Sequence, residues 1–193
     1  MTLRDAGLAL MAYYYFDFRD TDKQNRRNLL LSLLSQLSAR SDHCCDILHR
    51  AYQTHNNGAY QPTDDILIQY LKETLTSSNE GPIYIIMDAV DECPNTFGMP
   101  SPRDLVLGLV KGLVGLSLPT LHICVTSRPE IDIRNALEPL TSLRVSIHDE
   151  TGQKKDIIEY VTSVVHSDTR MGKWRDRDQN LVVETLSERA DGM

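Results

Sequence analysis

Ile83-Tyr84-Ile85-Ile86-Met87 is an unbroken apolar run, and it stops on a carboxylate, Asp88. The run is too short for a buried helix and has no polar alternation, the pattern of a central strand covered on both faces of a parallel sheet. Leu121 to Val125 repeats the pattern and ends at Thr126-Ser127-Arg128-Pro129. Met11 to Phe18, MAYYYFDF, is aromatic and halted by charges, which predicts a strand there too.

Helical signals fill the intervals. Leu30, Leu33, Leu34 and Leu37 recur at helical spacing opposite Lys23, Arg26 and Arg27, predicting an amphipathic helix from Asp22 to about Ala39. Ser41 to His55 reads as a second helix broken by Asn56-Asn57-Gly58, and Thr63-Asp64-Asp65 opens a third carrying Leu67, Leu71 and Leu75. Ser101-Pro102-Arg103-Asp104 supplies an N-cap, a proline in the first turn and an acid at the third position of a helix closed by Pro119. On that helix Gly108, Gly112 and Gly115 predict close approach to the sheet, since Lys111 and the short length disfavour a membrane packing face. Ser127-Arg128-Pro129-Glu130 reads as a capping box for a helix over Ile131 to Leu137. Beyond it, Leu143, Val145 and Ile147 alternate as in a strand, Ile157, Val161 and Val164 repeat at helical spacing, and a last helix spans about Arg177 to Arg189. Strands alternating with helices predict an α/β fold, a three-layer α/β/α sandwich on a mostly parallel sheet.

Composition narrows the function classes. The 193 residues suit one domain, or one domain with an appended piece, able to bury a core without disulfides or a structural metal. With 20 Lys and Arg against 27 Asp and Glu, the net charge of -7 repels phosphate backbones, so nucleic-acid binding is disfavoured. The longest apolar run, Leu8 to Phe16, is far short of a membrane span and lacks a cleavage site, which predicts a cytoplasmic protein without membrane attachment. Cys44, Cys45, Cys93 and Cys124 have no framework spacing, as reduced thiols would. His43, Cys44, Cys45 and His49 do not form two separated ligand pairs, so burial and surface roles explain them better than zinc. Lys173, Arg175 and Arg177 alternate with Trp174, Asp176 and Asp178, a sign-balanced helix entrance. No G-x-S-x-G elbow occurs, and His148 beside Asp149 has no serine partner.

Ligands of open parallel sheets sit beyond the carboxyl ends of the strands. One such end carries Asp88, Asp91 and Glu92, three carboxylates that repel one another unless a cation or hydrogen bonds compensate. A hydrated divalent ion such as Mg²⁺ is one reading, and a water-facing capped turn is the other. The second end offers Thr126 and Arg128, whose guanidinium either reaches a phosphate or pairs at the surface with Glu130 or Asp132. An acidic metal site and an arginine on neighbouring strands together suit a metal-chelated polyphosphate.

On these residues IYIIMDAVDEC resembles the Walker B segment of NACHT-type STAND nucleotide-binding domains, and HICVTSRPE resembles their sensor strand. AYYYFDFRDTDKQNRRNLLLSLLSQL is similar to the second strand and following helix of the fungal, nephrocystin-like members, and LSERADGM to the segment entering their next helical region. The resemblance implies a partial nucleotide-binding core over residues 1–150 and a truncated helical segment over 151–193. It implies Mg²⁺ with ATP or GTP as cofactors, Asp88 holding Mg²⁺ through water, Asp91 or Glu92 polarising the attacking water, and Thr126 and Arg128 contacting the nucleotide, with Arg128 sensing the terminal phosphate. Implied partners are nucleotide and, through the full-length chain, copies of itself or other signalling proteins. The small Ala89 fits the family's preference after the metal-binding aspartate.

The family's phosphate loop, G-x-x-x-x-G-K-[ST], is not in the sequence: Gly172-Lys173 is followed by Trp174, lacks the earlier glycine and follows no predicted strand. The resemblance therefore predicts a fragment lacking the first strand, inactive by itself, with the sensor strand's backbone exposed where that strand would pair. A non-catalytic interaction module derived from such a domain is the second reading, and a metal-dependent phosphoesterase using Asp88, Asp91 and Glu92 the third.

Overall fold

The computed structural model describes residues 9–77, 81–96, 100–146 and 151–189, and the chain divides into two compact units, Met1–Thr141 and Ser142–Met193. The architecture is α/β, with three parallel strands and seven α-helices among the described residues, consistent with a three-layer α/β/α sandwich.

The first unit runs β1 (Leu10–Tyr15), α1 (Arg26–Ser38), α2 (Asp42–Thr54), α3 (Asp64–Ser77), β2 (Ile83–Asp88), α4 (Pro102–Val114), β3 (Leu121–Val125) and α5 (Ile131–Leu137). The strands lie in the order β1-β2-β3, with Leu10 beside Ile83 and Ile83 beside Leu121. Both crossovers step in one direction across the sheet, and right-handed connections then carry their helices to one face. Burial follows that handedness. Leu10, Ala12, Tyr14, Ile83, Ile85 and Met87 share the face closed by the helices, where Leu29, Leu30, Leu33, Leu37, Leu71, Val106 and Leu113 complete the core. On the other face Tyr13, Tyr15, His122 and Cys124 are exposed, and Tyr84 stacks on His122 with ring centroids 4.8 Å apart.

Local chemistry fixes the ends of these elements. Asn25 caps α1 and Ser41 caps α2, each accepting from an amide three residues on. The capping box predicted at Ser101 and Asp104 is present, with Pro102 in the first turn of α4. The outer edge of β1 is closed by a side chain: Gln36 Oε1 accepts from the Tyr13 amide at 3.1 Å while its Nε2 donates to the Tyr13 carbonyl at 2.7 Å. β3 has no such guard. Its even-numbered residues bond to β2, so the amides and carbonyls of Ile123 and Val125 point the other way, where no strand pairs them among the described residues.

Three expectations are corrected. Residues 142–146 form no strand, with Leu143 79% and Val145 69% exposed, because alternation specifies a strand only where a neighbour completes the ladder; Ile147 lies outside the described residues. Gly108 and Gly112 do not approach the sheet: a Cβ at either would meet nothing within 4 Å among the described residues, and α4 packs inward through Val106, Leu109, Val110 and Leu113. Glu130 does not complete a capping box, because it is itself the N-cap of α5 and makes no side-chain cap bond there.

The second unit consists of α6 (Thr151–Ser167) and α7 (Asp176–Arg189), packed together around Val165 and Gln179. Gly172 and Lys173 belong to the single turn between them, where Gln179 Nε2 donates to the Met171 carbonyl at 2.9 Å. No helix among the described residues is long and apolar enough to cross a membrane. His148 and Asp149 lie outside the described residues.

Candidate functional site

Parallel pairing of β2 with β3 sets the geometry of the rim. Met87 is beside Val125, so the residues that follow each strand emerge side by side. The chain is tied across at this point by backbone bonds from Thr126 N to the Met87 carbonyl and from Val90 N to the Thr126 carbonyl, both 3.0 Å. Asp88 and Thr126 meet directly: the Thr126 hydroxyl donates to Asp88 Oδ1 and accepts from the Ala89 amide at 3.0 Å. Ala89 itself adopts φ 58° and ψ 47°, a left-handed conformation. A side chain branched at Cβ is disfavoured there, which gives the small residue after Asp88 a physical reason.

A single turn, Val90–Glu92, then sends the remaining acids in different directions. Asp91 accepts from the Arg128 amide at 3.0 Å and lies 3.6 Å from Arg128 Nε, its side chain 9% exposed against 80% for the arginine. Glu92 reaches the end of β1, where its Oε2 accepts from the Phe18 amide at 3.0 Å. The repulsion expected of the trio is thus relieved by hydrogen bonds to three separate donors. Among the described residues no three acids, cysteines or histidines converge as a metal cluster. Asp88 Oδ2 takes no hydrogen bond among the described residues, which suits an ion that keeps most of its water and uses one or two carboxylates.

The Arg128 pairing with Glu130 or Asp132 is not what forms. Both acids instead bind Arg103, which stands in the predicted start of α4. Arg103 is 5% exposed at the beginning of α4, and its Nε and Nη2 donate to the carbonyls of Cys93 and Asp91 at 2.8 and 2.6 Å. Its burial opposes the charge, yet the hydrogen bonds it donates to Glu130 and Asp132 outweigh that and raise its pKa. The available sequence signal was slight: Glu130 and Asp132 at alternate positions after the strand end.

Phe18, Gln24, Asp91, Glu92, Arg103, Arg128 and neighbouring residues line a cleft of about 490 Å³ at this rim. Next to it, Asp17 binds Arg19 through two side-chain bonds of 2.9 and 3.0 Å, which hold the Asp17 carboxyl down at about 2. The other candidate ligands stay apart: His43 bonds Ser77, His49 bonds Gln53, and Cys44 is buried while Cys45 is exposed.

A parallel α/β domain with an acidic strand end clasped to a Thr-Ser-Arg strand end defines the class. The chain belongs to the nephrocystin 3 N-terminal family, whose model matches residues 2–128, and this family is related to NACHT-type domains. The match spans β1 to β3 and includes each of Asp88, Asp91, Glu92, Thr126 and Arg128. No curated protein and no solved structure matches the chain significantly.

Proposed function

We propose that the chain is part of a NACHT/STAND-type signalling switch in which Mg²⁺-bound ATP or GTP is held at the β2–β3 rim and drives conformational change and assembly. The observation that carries this reading is the direct clasp of the two strand ends, Thr126 on Asp88 and Arg128 on Asp91. Asp88, with one oxygen uncommitted among the described residues, would hold hydrated Mg²⁺, which would supply charge neutralisation for the phosphates. Glu92 is the better group to polarise a water, because Asp91 is engaged by both the amide and the guanidinium of Arg128. Arg128, largely exposed, leaves Asp91 for a terminal phosphate, exchanging a long ion pair for a bidentate one. Nucleotide then favours the released arrangement over the clasped one, which is what a population shift requires.

The edge of β3, unpaired among the described residues, supports the same reading, since a further strand bearing the phosphate loop would pair there and supply the amide and lysine cradle this sequence does not contain. The protein is placed in the cytoplasm on this reading, with copies of itself or other signalling proteins as partners.

In a protein carrying the complete site, Asp88→Ala weakens Mg²⁺-dependent nucleotide affinity by about tenfold or more, while Glu92→Gln lowers turnover and leaves affinity intact. Nucleotide affinity, turnover and assembly all unchanged in Asp88→Ala would reject the role. A second reading, a non-catalytic interaction module, is favoured by one observation: each acid of the trio already has a partner within the protein. Calorimetric titration of the 193-residue chain with Mg-ATP and Mg-GTP separates them, micromolar binding counting against the inert module.

A further inference from the structure

Arg103 contributes neither to the trio nor to the exposed arginine, yet it touches the backbone or side chains of both strand ends. Its guanidinium engages four acceptors: the Cys93 carbonyl at 2.8 Å, the Asp91 carbonyl at 2.6 Å, Asp132 Oδ2 at 3.1 Å and Glu130 Oε2. Its own amide donates to the Pro94 carbonyl at 3.2 Å. The two carbonyls flank Glu92, while the two carboxylates belong to the segment that follows Arg128 and opens α5. One planar fork, 94% shielded at its side chain, therefore straps the acidic turn to the β3–α5 connection.

We infer that Arg103 is the positioning residue of this rim, holding the Asp91–Cys93 backbone so that Asp91 faces Arg128 and Glu92 faces the end of β1. An arginine is required because its donors diverge in a fixed plane toward partners on two segments; a lysine ammonium keeps the charge but offers donors from a single atom. The capped start of α4 delivers the residue: Ser101 and Asp104 fix the first turn, and Arg103 lies between them. The strap gives the rim a defined relation between its two ends before any ligand arrives, the form of preorganisation that a phosphate-binding site needs. Its value to nucleotide handling rests on the function proposed above, whereas the strap itself is a property of the chain alone.

Amide exchange followed by NMR on the full chain without nucleotide tests it. Two reporters sit on the rim: the Arg128 amide, which donates to Asp91, and the Phe18 amide, which donates to Glu92. In Arg103→Lys both reporters are expected to exchange about tenfold faster or more, while ladder amides at Ala12 and Ile85 keep their protection. Unchanged reporters overturn the assignment, and so does equal loss across the ladder, which marks an ordinary core arginine. Should Arg103→Lys fail to fold, Glu130→Ala with Asp132→Ala removes one end of the strap from partly exposed positions. The same two amides must then accelerate selectively, and unaltered exchange overturns the proposal. Nucleotide is absent throughout, so a failure here leaves the nucleotide reading standing, and a chain that binds neither Mg-ATP nor Mg-GTP leaves the strap standing.

Discussion

Cys93 shows how a single residue at the rim couples to the stability of the whole. Its thiol is fully buried and donates to the Gln24 carbonyl at 3.3 Å. Burial pushes its pKa up to about 11 from 9.0, against a smaller opposing pull from Arg103. Tyr14, raised by burial and then by Cys93 to about 12, donates to the Asp22 carbonyl nearby. Both groups lose their protons more readily in the unfolded chain than in the folded one. The stability they add is therefore complete below pH 9 and drains as pH climbs, through 9 to 11 for Cys93 and on toward 12 for Tyr14. Urea unfolding at pH 8 and 10.5 should show a loss of roughly 1–2 kcal/mol, and Cys93→Ala should flatten the first part of that decline. A pH-independent midpoint over this range would show that the thiol is not held neutral.

At the scale of elements, α4 carries two glycines that its packing does not use. Among the described residues nothing lies against Gly108 or Gly112, so each destabilises the helix without relieving a contact. Gly108→Ala and Gly112→Ala should each raise the unfolding free energy by about 1 kcal/mol, read as a higher denaturation midpoint. A loss in either variant would mean that the outer side of α4 touches something. These glycines also mark where the sequence misleads. The interval of four in Gly108 and Gly112 is the spacing of a close-packed face, but the phase of a helix is set by its large residues, and Val106, Leu109, Val110 and Leu113 already define the inward side. The apolar runs of β2 and β3, the leucine period of α1 and the box at Ser101 were legible because each is a local signal with one structural outcome. Glu130 was not, since its choice between capping α5 and meeting a buried guanidinium is made by α4, residues away in sequence. The clasp of Asp88 with Thr126 was legible only as far as adjacent strand ends go. Glu92 reaching the Phe18 amide needed the order β1-β2-β3, which periodicity does not encode.

For the whole molecule, the two margins of the sheet are treated differently. Gln36 occupies the backbone groups of Tyr13 at the β1 margin, while Ile123 and Val125 at the β3 margin have no strand beside them among the described residues. The side chains that could repel a second strand at β3 are few: His122 and Cys124 are exposed there, and neither carries the fixed charge that protects natural sheet edges. Sedimentation of the isolated chain should accordingly show association that grows with concentration, and Cys124→Lys should diminish it. Identical sedimentation of the two proteins at high concentration would show that β3 is protected by other means. The bare margin also sets an order of events for a nascent chain. A strand with open amides templates whatever extended segment arrives first, so correct folding becomes a race between the legitimate neighbour and a stray one, and crowded refolding favours fibrous precipitate over product.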